Sequence, residues 1–249
     1  DTTKRAGQWV ARYIKRAGLD DLNYGVATHV HPDHVGDPMA HSPWSADGRY
    51  RLTGISDVDA MVPIHCFIDR CGAFPQTAPS AYDPPDAPFS QNWRAFLQAK
   101  VAGGQRVEAP DVGSDAQVTL RNPEKFPPFS FRFVGANGYV WDSDQRKVRY
   151  IFAQGKADTD KGVRPNENAL STAIRLRYGK FTYYTGGDLT CDTQDGKYPW
   201  LDTETPVASA TGKVDVAVAN HHAYFDACGE EFVRSLDAQA YIAFCWDVG

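Results

Sequence analysis

Three histidines and an aspartate crowd into one short stretch of the chain, Ala27-Thr28-His29-Val30-His31-Pro32-Asp33-His34. Imidazole and carboxylate are the ligand types that suit zinc, iron or manganese. His29 and His31 are two positions apart, so in an extended segment both point the same way. Pro32 lacks an N–H and disfavours helix in the residue before it. The four polar side chains are therefore expected on a loop at the end of a strand over 24–28. Asp33 and His34, beyond the proline, can serve a second position next to the first. The spacing points to a two-metal site.

Two later stretches repeat this logic. Gly186-Gly187-Asp188 follows a predicted strand, Lys180–Thr185. The glycine pair allows a sharp turn and close backbone approach, leaving a carboxylate at the tip. Asn220-His221-His222 follows the buried-strand pattern of Val214–Ala219. Three strand ends that each deliver metal-type ligands coincide by chance far less often than one. A carboxylate such as Asp188 can bridge two metals. His29, His31, Asp33, His34 and one of His221 and His222 are then left to be divided between them.

These residues must be positioned by the rest of the chain. Residues 4–18 read as an amphipathic helix, with Trp9, Val10, Tyr13, Ile14 and Ala17 at helical spacing, Trp9 and Tyr13 in the core, and Gly18 at its end. Residues 35–60 read as a long loop with one short helix, and Met61–Ile68 as a strand carrying His65. The proline-rich stretch 72–90 reads as a surface excursion. A helix over 91–102, capped by Ser90, carries Trp93, Phe96, Leu97 and Val101 on one face. From 105 to 153 the pattern is β, with Phe129, Phe131 and Phe133 alternating and Asn137-Gly138 as a turn. A polar loop over 154–168, strands at Ser171–Tyr178 and Lys180–Thr185, a helix over 227–236 and a strand at Ala240–Cys245 complete the chain. With no repeat and no clear linker, one domain over 1–249 is expected.

The 249 residues are 42% hydrophobic, enough for one large core or two small ones. A net charge of −5 does not indicate a general affinity for nucleic acid. No apolar run approaches the ~18–20 residues that span a bilayer. The five cysteines include no C-x-x-C pair, so a structural zinc knuckle is not expected, and their odd number fixes no redox compartment. A secreted or periplasmic bacterial setting stands as an expectation only. No G-x-G-x-x-G or Walker loop supports nucleotide chemistry, and no G-x-S-x-G elbow supports a serine hydrolase.

Taken together, T-H-V-H-P-D-H, T-G-G-D and N-H-H resemble the metallo-β-lactamase superfamily, over about residues 24–245. The resemblance implies an α/β (α+β) protein with a four-layer αβ/βα sandwich, a metal site at one edge of its two sheets and a metal-bound hydroxide as nucleophile. Asn166-Glu167-Asn168-Ala169-Leu170-Ser171, with N-H-H, resembles the branch containing the hydrolase domain of the competence protein ComEC; phosphorylcholine esterases look similar too. By this resemblance His29 and His31 would bind the first metal, Asp33 and His34 the second, Asp188 would bridge and His221 would complete the second site. Two zinc ions are implied, with manganese or iron as alternatives. Asp33 would also orient the nucleophile, and His222 would donate to a leaving group or oxyanion.

Two features depart from the family pattern. The loop before the hairpin offers Asn166, Glu167 and Asn168 where many members have a histidine, so the first metal has no evident third protein ligand. Few residues precede the histidine motif, so a fragment lacking the first strands of one sheet is expected. The expected activity is hydrolysis of a phosphodiester or phosphoester. The alternatives are a lactam, lactone or thioester hydrolase on the same site, or a metal-binding module that has lost catalysis.

Overall fold

The structure is a computed structural model that describes residues 5–72, 83–159 and 161–245. The chain is mixed α and β and divides into two compact units, Asp1–Ala109 and Pro110–Gly249.

The first unit runs α1 (Ala6–Arg16), β1 (Leu22–Val26), α2 (Pro32–Val35), α3 (Gly54–Met61), β2 (Ile64–Ile68), α4 (Pro88–Ala102) and β3 (Arg106–Glu108). Its three strands form a parallel sheet in the order β1-β2-β3, with Leu22 opposite Ile64 and Cys66 opposite Arg106. The central strand buries Ile64, Cys66, Phe67 and Ile68, the near-continuous apolar run of a parallel strand covered on both faces. Phe96 of α4 meets Tyr50 and Phe67 edge-on, with ring centroids 5.1 Å apart in each pair. Trp93 donates its indole N–H to Asp69 at 3.0 Å, which satisfies a polar atom inside this core.

Two expectations are corrected by the structure. Trp9 and Tyr13 are exposed, not core; α1 buries Gly7 and Ala11 instead, because small residues let it approach α3 closely. Arg12 lies over the Trp9 ring at 5.4 Å, so the exposed indole gains a cation. Ser90 is not a cap: α4 begins two residues earlier, with Pro88 in its first turn, where a missing N–H costs nothing. The expected excursion over 72–90 lies largely outside the described residues.

The second unit runs β4 (Phe129–Ala136), β5 (Tyr139–Asp142), β6 (Lys147–Tyr150), α5 (Lys156–Thr159), β7 (Ala173–Tyr178), β8 (Phe181–Thr185), α6 (Glu204–Thr211), β9 (Val216–Val218), α7 (Glu230–Leu236) and β10 (Ala240–Ile242). Its seven strands form a mixed sheet in the order β10-β9-β8-β7-β4-β5-β6. Strands β8, β9 and β10 are parallel to one another, with α6 and α7 as the crossovers such pairs need, and the remaining pairs are antiparallel. Asn137 and Gly138 both have positive φ (53° and 75°), as the tight hairpin between β4 and β5 requires. Of the three alternating phenylalanines only Phe133 is fully buried. The core gathers Tyr184, Leu189, Phe232 and Leu236 with Val134, Val207 and Trp200. Helix α6 carries no apolar stripe that the sequence would betray; it buries Val207, Ala208 and Thr211. Among the described residues, no helix is long and apolar enough to cross a membrane.

The contact of α1 with α3 is testable at Gly7. A Cβ there would lie 2.0 Å from the Gly54 carbonyl oxygen and 2.7 Å from Asp57 Cβ. The same approach seats the Arg5 guanidinium on the buried Asp57 carboxylate, with Nε at 2.8 Å. Gly7→Ala is expected to lower stability by about 1–3 kcal/mol, as overpacking does. Urea denaturation reads the loss, and an unshifted midpoint would show that the helices are not this close.

Candidate functional site

In the first unit β1 ends at Val26, and the Ala27 N–H donates to the Ile68 carbonyl at 2.9 Å, continuing the sheet one step. Ala27 and Val30 are buried and anchor the segment from which the histidines project. His29 is completely withdrawn from solvent. Its Nε2 lies 3.1 Å from His31 Nδ1, and its ring centroid is 4.1 Å from that of His34. The Thr28 hydroxyl lies 3.3 Å from His29 Nδ1 and 3.4 Å from His34 Nδ1, so one small side chain orients two imidazoles. Asp33 Oδ2 is 3.4 Å from His34 Nε2.

The motif is not all loop. Asp33 and His34 lie on the short helix α2, with Pro32 as its first residue. Proline bars a continuing helix but favours a starting one, because its fixed φ suits the first turn and its absent N–H is not needed there. His31, the residue before the proline, is extended as expected (φ −123°, ψ 159°). His65 is not drawn toward these residues; it is exposed on β2 and pairs with Asp21 at 2.8 Å.

In the second unit β8 runs into Gly186-Gly187-Asp188. A Cβ on Gly186 would lie 2.1 Å from the Tyr184 hydroxyl and 2.4 Å from Asn220 Oδ1, so only glycine fits. Asp188 is buried, and its N–H donates to Ser171 Oγ at 3.1 Å. After β9 the backbone enters a turn in which His221, His222 and Ala223 all have left-handed φ (42°, 57° and 61°). Three consecutive non-glycine residues in this region are strained. His221 N–H donates to the Gly187 carbonyl at 3.1 Å, tying this turn to the end of β8.

The turn sends the two histidines different ways. His222 Nδ1 lies 2.7 Å from the Phe244 carbonyl, which only an Nδ1–H can satisfy. That fixes the tautomer and sets Nε2 3.5 Å from Asp188 Oδ2. His221 Nδ1 lies 2.5 Å from Asp226 Oδ1, and its Nε2 lies 3.2 Å from the Asn168 side-chain nitrogen. So His222 is brought to Asp188, while His221 is brought to Asp226 and Asn168. Asn168 comes from the loop that precedes β7.

Several supporting groups carried no sequence signal. Glu204 is wholly buried at the start of α6. It accepts hydrogen bonds from Asn220 Nδ2 at 2.9 Å, from the Cys228 N–H at 2.8 Å and from the Gly229 N–H at 2.9 Å. Burial raises its pKa above the ordinary carboxylate value, and the three donors oppose that rise. Asn220 also donates to the Tyr184 hydroxyl at 3.4 Å. Burial pushes the Cys191 and Cys228 thiols up to about 11, with the Glu204 charge adding to it, so neither is a thiolate nucleophile at neutral pH.

The structure thus holds His/Asp groups that could bind a metal ion: His29, His31, Asp33 and His34 in the first unit, and Asp188 and His222 in the second. Compared with known proteins, the chain matches no family model and no curated sequence.

Glu204 is the testable support. Glu204→Leu strands three N–H donors, that of Asn220 fully buried and those of Cys228 and Gly229 partly so, and is expected to destabilise by at least about 2 kcal/mol in urea. The pH dependence follows from the raised pKa. The folded chain binds the Glu204 proton more tightly than the unfolded chain, so this contribution is full below the unfolded value of about 4.3 and is lost as pH rises through the folded value. The stability of wild type relative to Glu204→Gln, which cannot ionise, is expected to fall over that window. A flat difference in denaturation measured across pH would contradict the assignment.

Proposed function

We propose that the chain is a metal-dependent hydrolase that cleaves a phosphodiester or phosphoester. The observation that carries the proposal is the buried His29 imidazole, packed against His31 and His34 with two ring nitrogens 3.1 Å apart and the Asp33 carboxylate adjoining His34. Nitrogen and oxygen donors gathered and oriented in this way suit a zinc-type cation. His222 beside Asp188, its other nitrogen held by a backbone carbonyl, has the arrangement typical of a ligating histidine. On this reading His29, His31, Asp33, His34, Asp188 and His222 are the metal-binding residues, and zinc is the expected metal. A bound divalent metal supplies an acidified water and positive charge for the anion that develops on the attacked group.

The placements support exchanging the roles expected for the two neighbouring histidines. His221 is oriented through Nδ1 by the Asp226 carboxylate, the arrangement that suits an imidazole passing a proton at Nε2 to a leaving group. The Asn168 amide adjoins that nitrogen: its NH2 donates to Nε2 when the ring is neutral, and its oxygen, turned to the ring, accepts from Nε2–H. Asp33 is the candidate for orienting the attacking water. The phosphoester class rests on the resemblance of Asn166–Ser171 and Asn220–His222 to phosphoester-cleaving relatives. The reading carries with it the four-layer sandwich, with which a seven-stranded mixed sheet and a three-stranded parallel sheet are compatible.

Elemental analysis of protein purified without added metal is expected to find zinc, and His31→Ala and Asp188→Ala are each expected to lower the content. A chromogenic phosphodiester should turn over, and a chromogenic cephalosporin should not. Asp226→Asn should keep its metal and lose about 10–100-fold in kcat. Turnover of the cephalosporin alone would replace the phosphoester reading with a lactamase. Metal retained in both alanine variants would remove these residues from the site.

A further inference from the structure

A second cluster in the Pro110–Gly249 unit has the opposite chemistry. Ser130, Arg132, Trp141, Ser143, Arg175 and Ser209 line a cavity of about 260 Å³ between the sheet and the C-terminal end of α6. Arg132 on β4 and Arg175 on β7 are direct cross-strand partners. Like charges placed directly opposite on a sheet destabilise it. Asp115 pairs with Arg132 and offsets one of the two charges. Arg175 is half-buried, and burial together with Arg132 and Arg177 holds its pKa below the usual arginine value.

The hydrogen-bond inventory is more specific. Arg132 Nε, Arg175 Nε and Trp141 Nε1 are all buried and have no acceptor. A buried unsatisfied donor is costly, and native structures hold few of them. Here three come from side chains that line one cavity. All three are obligate donors, so none can satisfy another. The Trp141 ring is fixed in place: Arg132 lies over it at 5.3 Å, and a Cβ on Gly113 would be 2.3 Å from it. The cavity is smaller than the ~300–1,000 Å³ of drug-sized sites, which suits a small ion or a single substituent group.

We propose that this cavity binds the phosphate group of a small ligand, held by Arg132, Arg175 and the Trp141 indole N–H, separately from the metal-binding residues. An oxyanion neutralises the arginine pair, and it satisfies all three donors once the side chains that cover them turn toward it, since each nitrogen is shielded in the unliganded packing. Three donors match the three acceptor oxygens of a phosphate group, one more than a carboxylate offers. The serine hydroxyls can add donors, and the side-on Nε edge of a guanidinium is suited to two oxygens at once.

The Trp141 indole N–H resonance, assigned by its loss in Trp141→Phe, reports the site directly. Titration of the whole protein with inorganic phosphate at constant ionic strength should shift that resonance saturably. Arg175→Met should still fold, because it removes a desolvated charge that faces Arg132, and should weaken binding about tenfold or more. Arg175→Lys keeps the charge, loses the fork and should weaken binding as well. Asp188→Ala should leave the titration unchanged, which separates this site from phosphate taken up at a metal. No saturable shift, an equal response to acetate, or a lysine variant as good as wild type would each overturn the proposal.

Discussion

One buried carboxylate holds the second unit's histidine turn in place. Glu204 takes the Asn220 side chain on one side and the N–H groups of Cys228 and Gly229 on the other. Between those points lies the loop that carries His221, His222 and Asp226. Its left-handed residues His221, His222 and Ala223 each cost about 1–2 kcal/mol. The three hydrogen bonds that Glu204 accepts hold both ends of this strained turn. Inside the bracket, the Tyr224 N–H bond to the His221 carbonyl and the His221–Asp226 contact complete the turn. The direction of both imidazoles is therefore a consequence of a residue 17 and 18 positions upstream of them.

The first unit solves the same problem by local means. His29, His31, Asp33 and His34 are close in sequence, and their mutual geometry follows from an extended segment, a proline and one turn of helix. Thr28, inside the motif, orients two of the rings. From farther along the chain, the Ala27 bond to Ile68 fixes where the segment leaves the sheet, and the Phe89 ring lies edge-on to His31 at 6.3 Å. Burying the imidazole of His29 costs little so long as hydrogen-bonding groups meet its nitrogens, and the motif itself provides them.

This contrast explains what could be read in the sequence. The histidine motif was legible because its geometry is short-range, and Gly186-Gly187-Asp188 because Tyr184 and Asn220 leave no room for a Cβ on its first residue. Which of His221 and His222 would meet Asp188 was not legible, since the answer depends on a strained turn set by Glu204. Asp226 and the Phe244 carbonyl partner the two rings from positions with no motif around them. Periodicity misplaced Trp9 and Tyr13 because α1 packs through glycine and alanine, residues that carry no hydrophobic signal. Helix α6 escaped because it is short and its buried face mixes Glu204 and Thr211 with Val207 and Ala208, and Ser90 misled because a proline two residues earlier could start the helix as well as a cap could.

Helix α6 links the two chemistries of the second unit. Its N-terminal residue is Glu204, and the residues of its last turn border the arginine cavity. The arrangement of charge follows the helix dipole, with a carboxylate at the positive end and guanidinium groups near the negative end. Beneath the helix the sheet carries one row of cross-strand partners, Arg132, Arg175, Tyr184 and Ala217. Along that row the side chains pass from half-exposed arginines to a tyrosine with no exposure at all. Tyr184 in turn touches Asn220 at the root of the histidine turn. At one end of the row lone pairs are gathered, which suits a cation; at the other, N–H donors are gathered, which suits an anion. Both depend on α6 staying seated on the sheet through Val207 and Ala208, so the packing of one short helix constrains both chemistries.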